Sequence, residues 1–313
     1  TLVGAILAGL ISMFVMSPVY DTKLNIVVSM PETYHTRYGE YTLPITSNDQ
    51  YINLITSNNV LINTIRDMGY KDVSLEDLRK EIEIEKSTAP ANTVQNSFTV
   101  NVSADNPEES LKLAQTLFNN YIEFIDVMTK ERVVDYYLGY FAVEIKAKQN
   151  FLDIENDKVK RNEELLLSTP KTIDGAKSNV EIEAQLNEDS DYVIPIDIVN
   201  PSYIKIETEI TQSKQEINET QSTMQKYEKY IEELNTEKQA INNYYETGRE
   251  VKLASNIIGV VETSVYLPSP PVAPTQKTSP SNAMNTVIGA VVGLMIGIMA
   301  TLVKEYWLKD GSV

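Results

Sequence analysis

Carboxylates are the only side chains abundant enough in this sequence to suggest acid–base chemistry. The chain has 44 Asp and Glu residues, and adjacent pairs occur at Glu108/Glu109 and Glu163/Glu164. Both pairs fall in predicted helices, where neighbouring residues do not face each other. Catalysis by two carboxylates needs a pair that is positioned around a pocket. We therefore interpret both pairs as solvated surface, and the sequence predicts no catalytic residue.

Cysteine and histidine usage excludes further classes of site. The chain has no Cys and a single His, so disulfides, thiolate zinc sites, iron–sulfur clusters and cysteine nucleophiles are excluded. His35 is the only imidazole, which argues against a Ser-His-Asp triad and against a multi-histidine metal site. His35 lies in a predicted loop, and we interpret it as a surface residue. The sequence predicts neither a cofactor nor a metal site.

The charge balance argues against nucleic acid as a partner. The 44 Asp and Glu residues outnumber the 27 Lys and Arg residues, and the formal net charge is −17. A duplex-binding surface needs clustered cations that displace the counterions of the phosphates.

The elements that would position any functional surface are unusual, because both ends of the chain are apolar. The first charged residue is Asp21, and residues 278–303 carry no charge. A helix needs about 20 apolar residues to cross a bilayer. The sequence therefore predicts two transmembrane helices in contact with lipid, at residues 1–19 and 283–304. The alternatives are a signal peptide and a buried core helix, but the first segment lacks a cleavage signature.

Two spans place both termini on one side of the membrane. A large, acidic, cysteine-free middle suits the outside of the cell, so we predict cytoplasmic termini, with residues 305–313 as a short tail. The chain starts with Thr1 rather than Met, and we expect further residues before it.

Small residues recur at every fourth position in both predicted spans. Such stripes let helix backbones approach closely in lipid, although glycine is also common in membrane helices. We predict a transmembrane packing face formed by Gly289, Gly293, Gly297, Gly4 and Ala8.

Between the spans, the patterns predict an α/β base in residues 20–106 and a returning strand within residues 249–267. The first strand, at residues 20–28, is expected to pair with the returning strand. The other predicted elements of the base are a loop at 29–46, a helix at 48–68, a short helix from Ser74, and strands at 82–88 and 98–103.

A long helical arm is predicted for residues 107–248, as an antiparallel coiled hairpin with an irregular tip at 168–200. Leu138, Ile145, Leu152, Val159 and Leu166 recur every seven residues. The seam predicted on the second helix is Ile210, Ile217, Met224, Ile231 and Leu234. Ser213, Thr220 and Lys238 interrupt it. The acidic run at 187–191 is interpreted as a solvated loop, with calcium or glycan binding as the alternative.

A proline-rich segment at residues 268–282 precedes the second span. It lacks backbone donors and favours extended geometry, which is typical of a stiff tether. Its prolines are Pro268, Pro270, Pro271, Pro274 and Pro280. The predicted fold class is a membrane protein of the α+β type, in which two transmembrane helices flank an extracytoplasmic α/β base with a long coiled helical arm.

This order of features resembles the Wzz family of chain-length determinant proteins. The resemblance lies in Tyr51–Val60 after the first strand, Leu75–Leu78, Phe98–Ala114, and the proline-rich segment before a glycine-rich span. It covers residues 1–125 and 250–313, whereas the central segment matches only in general character.

The resemblance implies a bacterial inner-membrane protein that forms a ring-like homo-oligomer. Such a polysaccharide co-polymerase is not an enzyme, and regulates the chain length of a surface polysaccharide that a polymerase makes on a lipid carrier. The implied partners are other copies of the chain, the polymerase, the growing polysaccharide and a tyrosine kinase. The kinase is expected to be a separate chain, because this sequence contains no G-x-x-x-x-G-K-[ST] loop. The alternatives are a transmembrane sensor that modulates such a kinase and an efflux adaptor, whose lipoyl-like halves are not evident.

Overall fold

The computed structural model describes residues 6, 10, 16–45, 48–85, 96–174, 197–249, 251–255, 257–258 and 264–306. The chain divides into two compact units. We call residues 1–130 and 258–313 the base unit, and residues 131–257 the arm unit. Most of the predicted first span, including Gly4 and Ala8, lies outside the described residues.

A four-stranded antiparallel sheet forms the centre of the base unit. Strand β1 (Tyr20–Val28) lies between β5 (Ser97–Ala104) and β8 (Val265–Tyr266), and β4 (Ile82–Ile84) pairs with the far side of β5. Side chains of β1 alternate between the two faces, so Leu24, Ile26 and Val28 are all fully buried. The sheet therefore has one face packed into a core.

The first and last strands of the chain pair directly, with Val27 opposite Tyr266 and Val28 opposite Val265. In the described part of the returning segment, strand structure is found at Val265–Tyr266. Residues 251–255 are not in a strand, and residues 256 and 259–263 lie outside the described part of the chain. Of the strand predicted at 82–88, residues 82–84 form β4, and residues 86–88 lie outside the described part of the chain.

The loop predicted at residues 29–46 is wrong, because this segment contains a hairpin. Strands β2 (Thr33–Thr36) and β3 (Gly39–Thr42) pair in antiparallel fashion. Tyr34 lies opposite Tyr41, and both side chains are buried. Gly39 has a φ of 135°, which side-chain-bearing residues rarely adopt, and allows the tight turn. Burial of these two tyrosines on one face therefore stabilises the hairpin, although the alternation of apolar and polar residues in this segment is weak.

The helix predicted at 48–68 is interrupted. It consists of α1 (Asn48–Asn53), a 3₁₀ turn (Leu54–Thr56) and α2 (Asn58–Met68). Ser57 is extended, with ψ of 151°, so the helical hydrogen bonding restarts after it. Gly69 ends α2 in the left-handed conformation, and Ser74 caps α3 (Leu75–Lys80) by accepting the Asp77 N–H at 3.1 Å.

Two long helices follow, and both begin as the sequence indicates. Helix α4 (Pro107–Ser168) starts where the Asn106 side chain accepts the Glu109 N–H at 2.9 Å, and helix α5 (Pro201–Glu246) starts behind Asn200. Proline at the first helical position loses no hydrogen bond there. Helix α4 runs 62 residues, from the base unit into the arm unit.

The tip predicted as irregular contains one short strand pair in its described part. Strands β6 (Thr172–Asp174) and β7 (Asp197–Val199) lie next to the ends of the two long helices. Residues 175–196, which include the acidic run at 187–191, lie outside the described residues.

The chain ends in helix α6 (Asn282–Tyr306), and the described residues contain one helix that is long and apolar enough to cross a membrane, over Ala283–Leu302. The described part of the chain therefore contains the second predicted span.

Candidate membrane anchor and interaction surfaces

Helix α6 presents its large apolar side chains to its surroundings rather than to the rest of the chain. The side chains of Val291, Leu294, Ile296 and Met299 are all at least about half exposed, and none of the described residues of the candidate span is buried. In water such a surface would be unfavourable at roughly 25 cal/mol per Å². A lipid environment removes that cost.

The three predicted glycines of α6 follow one face of the helix. Gly293 and Gly297 line a shallow groove of about 470 Å³ together with Leu294, Ile298, Thr301 and Leu302. Among the described residues, a methyl group placed on Gly297 would meet no atom within 4 Å outside the neighbouring backbone of its own helix. This leaves room for another helix there, and the packing role of Gly289, Gly293 and Gly297 stays a prediction.

The residues that follow the first predicted span contact the residues that precede the second. Val19 forms an isolated antiparallel bridge with Ser279, in which its N–H donates to the Ser279 carbonyl at 2.8 Å. Asn285, in the first turn of α6, contacts the Met16 sulfur at 3.9 Å. Of the prolines in this segment, Pro280 is buried. The two chain segments that lead towards the membrane are thus neighbours.

The start of α4 is fixed to the sheet by buried polar contacts as well as by packing. The hydroxyls of Thr22 and Ser110 lie 2.6 Å apart, and the Ser110 hydroxyl also donates to the Val102 carbonyl at 3.1 Å. Further along α4, the Tyr121 hydroxyl donates to the Tyr51 carbonyl at 2.9 Å. Because these groups are buried and hydrogen-bonded, they fix the helix at one position on the sheet.

Apolar residues complete this attachment. The buried side chains along the first turns of α4 recur at helical spacing, and they are Leu113, Leu117, Tyr121 and Ile125. Burial and the neighbouring Glu109 raise the pKa of Tyr70, whose hydroxyl donates to the Glu109 carboxylate at 2.8 Å. Glu109 therefore supports the base of the arm structurally.

Within the arm unit, α4 and α5 run antiparallel and share an apolar seam. The cluster of buried residues consists of Leu152, Val159, Ile206, Ile210 and Ile217, with Leu166 and Met224 packed against it. Leu234 is fully buried, and Ile231 is half-buried. Lys214 pairs with Glu163 at 2.7 Å on the outside of the seam.

A polar layer crosses this seam at the first interruption that the sequence shows. Ser213 is 0% exposed and Glu155 is 7% exposed. The nearby Ser213 hydroxyl and the ammonium of Lys158, which lies 3.3 Å from the carboxylate, lower the pKa of the Glu155 carboxyl. Glu155 therefore remains ionised in the seam.

The third interruption, Lys238, also has partners on α4. Its ammonium lies 2.8 Å from Asp135 and 3.5 Å from Glu131. The hydrogen bond to Asp135 raises the pKa of Lys238. Lys238, one of the residues that make the seam imperfect in sequence, thus pairs with opposite charges on the other helix.

An aromatic cluster on α4 and α5 was not identified from the sequence. Phe141 lies 4.9 Å from Tyr227 and 5.3 Å from Tyr230, and it stacks on Tyr137 at 5.8 Å between ring centroids. The sequence signal was the density of tyrosines in both helices. Without the pairing of α4 with α5, that signal does not show which rings meet.

His35 and Glu163 are exposed, and each has a polar partner. His35 is exposed, with Glu40 3.4 Å away, and Glu163 pairs with a lysine of α5. Among the described residues, no group of three His, Cys, Asp or Glu side chains is arranged to hold a metal ion.

No family model and no curated protein matches the chain. Solved structures that match the chain include a full-length bacterial polysaccharide co-polymerase, with 12% identity over 100% of this chain and 94% of that chain, at a TM-score of 0.44. A fragment of the polysaccharide co-polymerase WzzB from Salmonella Typhimurium is 12% identical, covering 84% of this chain and 100% of its own, at a TM-score of 0.29.

A third is the lipopolysaccharide O-antigen chain-length regulator WzzB from Shigella flexneri, with 12% identity over 82% of this chain and 99% of that chain, at a TM-score of 0.23. These structures bear the names of the family that the sequence resembles.

Proposed function

We propose that this chain is a non-catalytic polysaccharide co-polymerase of the bacterial cytoplasmic membrane. It regulates the chain length of a surface polysaccharide that a polymerase makes on a lipid carrier. The observation that carries the proposal is the pairing of β1 with β8. This pairing joins the strands next to the two apolar ends of the chain, in the same sheet on which the 62-residue helix α4 begins.

This arrangement supports a scaffold. In the base, the strands next to the two predicted spans pair in one sheet. In the arm, residues 131–168 of α4 alone measure on the order of 55 Å at 1.5 Å per residue. Its buried polar groups serve packing and helix capping. A protein that sets a length without chemistry needs such a rigid element.

The proposal includes the topology and partners that the resemblance implies. The chain crosses the membrane twice, both termini are cytoplasmic, and the base and arm lie outside. Several copies form a ring-like homo-oligomer that acts with the polymerase and the growing polysaccharide. Gly293 and its neighbours on the groove of α6 provide a packing face for another helix in lipid. Any tyrosine kinase partner is a separate chain.

Deletion of the chain in its native host tests this function. We expect the polysaccharide to be made still, but with a changed distribution of chain lengths on gel electrophoresis, because the regulator and not the polymerase is removed. Re-expression of the full chain is the control and should restore the original distribution. An unchanged distribution after deletion would contradict the proposal, and complete loss of polymer would indicate a role in synthesis itself.

A further inference from the structure

Strand β1 has an open edge between two contacts with the last part of the chain. At one end Val27 lies opposite Tyr266, and at the other end Val19 lies opposite Ser279. We call the chain between these contacts, residues 267–278, the strap. Between the two contacts, β1 has no partner strand on this side within the described part of the chain.

The strap is longer than the strand beside it. It has twelve residues, whereas only the seven residues 20–26 separate the same two contacts on the other segment. The register of the pairing therefore differs by five residues between the two ends of the strap. A continuous ladder allows no such difference, and the strap contains no strand residue. The pairing of β8 with β1 is thus interrupted directly after Tyr266.

Hydrogen bonds at the two ends show which β1 residues face the open edge. The N–H of Val19 donates to the carbonyl that follows the strap, and the N–H of Val28 donates to the carbonyl that precedes β5, each at 2.8 Å. Backbone groups of successive residues in an antiparallel strand point to alternate sides. The N–H and carbonyl groups of Asp21, Lys23 and Asn25 therefore point towards the strap.

A strand that continued β8 along this edge would meet proline at its next two donor positions. The N–H of Ser29 donates at 2.7 Å to the carbonyl that precedes β8, so the hydrogen-bonded pairs recur at every second residue from there. Continued in the same register, they would place Pro268 opposite Asn25 and Pro270 opposite Lys23. Proline has no N–H, so neither residue can donate to the ladder.

We propose that Pro268 and Pro270 end strand β8 and keep the strap unpaired, so that sheet hydrogen bonds hold the strap only at its two ends. Both prolines are exposed, so packing does not require a proline ring at either position. The surplus length of the strap then lets helix α6 change its position relative to the sheet without loss of sheet pairing. This inference goes beyond the proposed function and does not rest on it.

The open edge makes the two prolines necessary. Unpaired N–H and carbonyl groups along a sheet edge are a template for any extended segment that can donate to them. The strap is held next to this template at both ends. With threonine at positions 268 and 270, the strap would regain both donors at residues of high strand propensity. We therefore expect such a variant to extend β8 along β1.

Amide hydrogen exchange of the full chain in detergent micelles, resolved residue by residue, tests the proposal. In the native chain the N–H groups of Lys23 and Asn25 should exchange fast, whereas that of Leu24, which points towards β5, should exchange slowly. In the double variant Pro268→Thr with Pro270→Thr, exchange at Lys23 and Asn25 should slow by about ten-fold or more, because both N–H groups gain a ladder partner.

The matched control is Ser269→Thr with Pro271→Thr, which also introduces two threonines into the strap. In the register of β8 these two positions lie between the donor positions, where an N–H would point away from β1. Exchange at Lys23 and Asn25 should therefore stay fast in the control.

Three results would overturn the proposal. They are slow exchange at Lys23 and Asn25 in the native chain, unchanged exchange there in the Pro268→Thr and Pro270→Thr variant, and equal slowing in both double variants. The native measurement needs no substitution, so it tests the open edge even where a variant does not fold. None of these readouts uses polysaccharide length, so failure of the proposed function would be seen separately in the deletion strain.

Discussion

Two polar residues show how the arm accommodates imperfect heptads. Ser213 interrupts the apolar pattern of α5, and the structure places it near Glu155 of α4, whose pKa is lowered by the Ser213 hydroxyl and by Lys158. A buried carboxylate without donors would be strongly unfavourable. The two polar residues therefore stabilise each other at one level of the seam, and they disfavour alternative alignments of the helices.

Replacing Ser213 with Ala should destabilise the arm by about 1 kcal/mol, because the buried Glu155 carboxylate loses the neighbouring polar hydroxyl. We expect the midpoint of thermal helix loss, measured by circular dichroism on the purified full chain, to fall by a few degrees. Ser222→Ala is the matched control, since the Ser222 hydroxyl is exposed and bonds only to the Asn218 carbonyl of its own helix. Equal effects of both changes would contradict the role of the pair.

The same pair gives a pH dependence with a definite sign. The pKa of Glu155 is lower in the folded chain than its usual value of 4.5. The stabilisation by Ser213 is therefore present above pH 4.5 and is lost as the pH falls through the folded pKa. The difference in stability between the native chain and Ser213→Ala should shrink on acidification from pH 7, and a difference that grows would exclude this cause.

At the scale of the elements, the seam between α4 and α5 holds the arm together. Ile210→Ala removes a side chain from the centre of the buried cluster, and such changes cost about 2–5 kcal/mol. Ile204→Ala, one and a half turns earlier on α5 and about half exposed, should cost less than about 1 kcal/mol. Thermal unfolding of the two variants gives the comparison, and similar losses would show that the seam is not the main contact.

The long helices were predictable because their signals are strong and local. No proline occurs between Pro107 and Pro170, and proline follows an asparagine cap at the start of each helix. The hairpin of β2 and β3 was missed because its pairing of Tyr34 with Tyr41 depends on a core that the local sequence does not reveal. The break at Ser57 was missed for a related reason, since apolar residues at helical spacing continue on both sides of it.

The surfaces of the arm were only partly predictable. Leu152 and Val159 were placed on a seam by their heptad spacing, and they belong to the buried cluster. The exposed apolar residues of α4 were not separated from the seam, because residues such as Tyr140 and Val143 lie on the same helix and make apolar residues frequent on every side of it. Only the position of α5 separates the covered face from the exposed one.

At the scale of the whole molecule, the acidic charge and the apolar surface lie in different parts of the chain. The net charge of −17 comes from the middle of the sequence, whereas the candidate span Ala283–Leu302 has no charged residue. Moving so many carboxylates into a bilayer is prohibitive. The charged middle therefore favours water over the bilayer, and in the proposed two-span topology both termini would lie on the opposite side of the membrane.

Single introduced cysteines can establish on which side of the membrane each part of the chain lies, because the chain has no native Cys. We expect Thr275→Cys, in the exposed part of the proline-rich segment, to react with a membrane-impermeant maleimide in intact spheroplasts. Ser312→Cys, beyond the second span, should react only after the membrane is opened, since a helix of about 20 apolar residues separates the two sites. Labelling of both positions in intact spheroplasts would contradict a span at Ala283–Leu302, and labelling of Ser312 alone would reverse the proposed orientation. A span in the proposed direction would leave the arm outside the cytoplasm, where a polysaccharide that is being assembled at the outer face of the membrane can reach it.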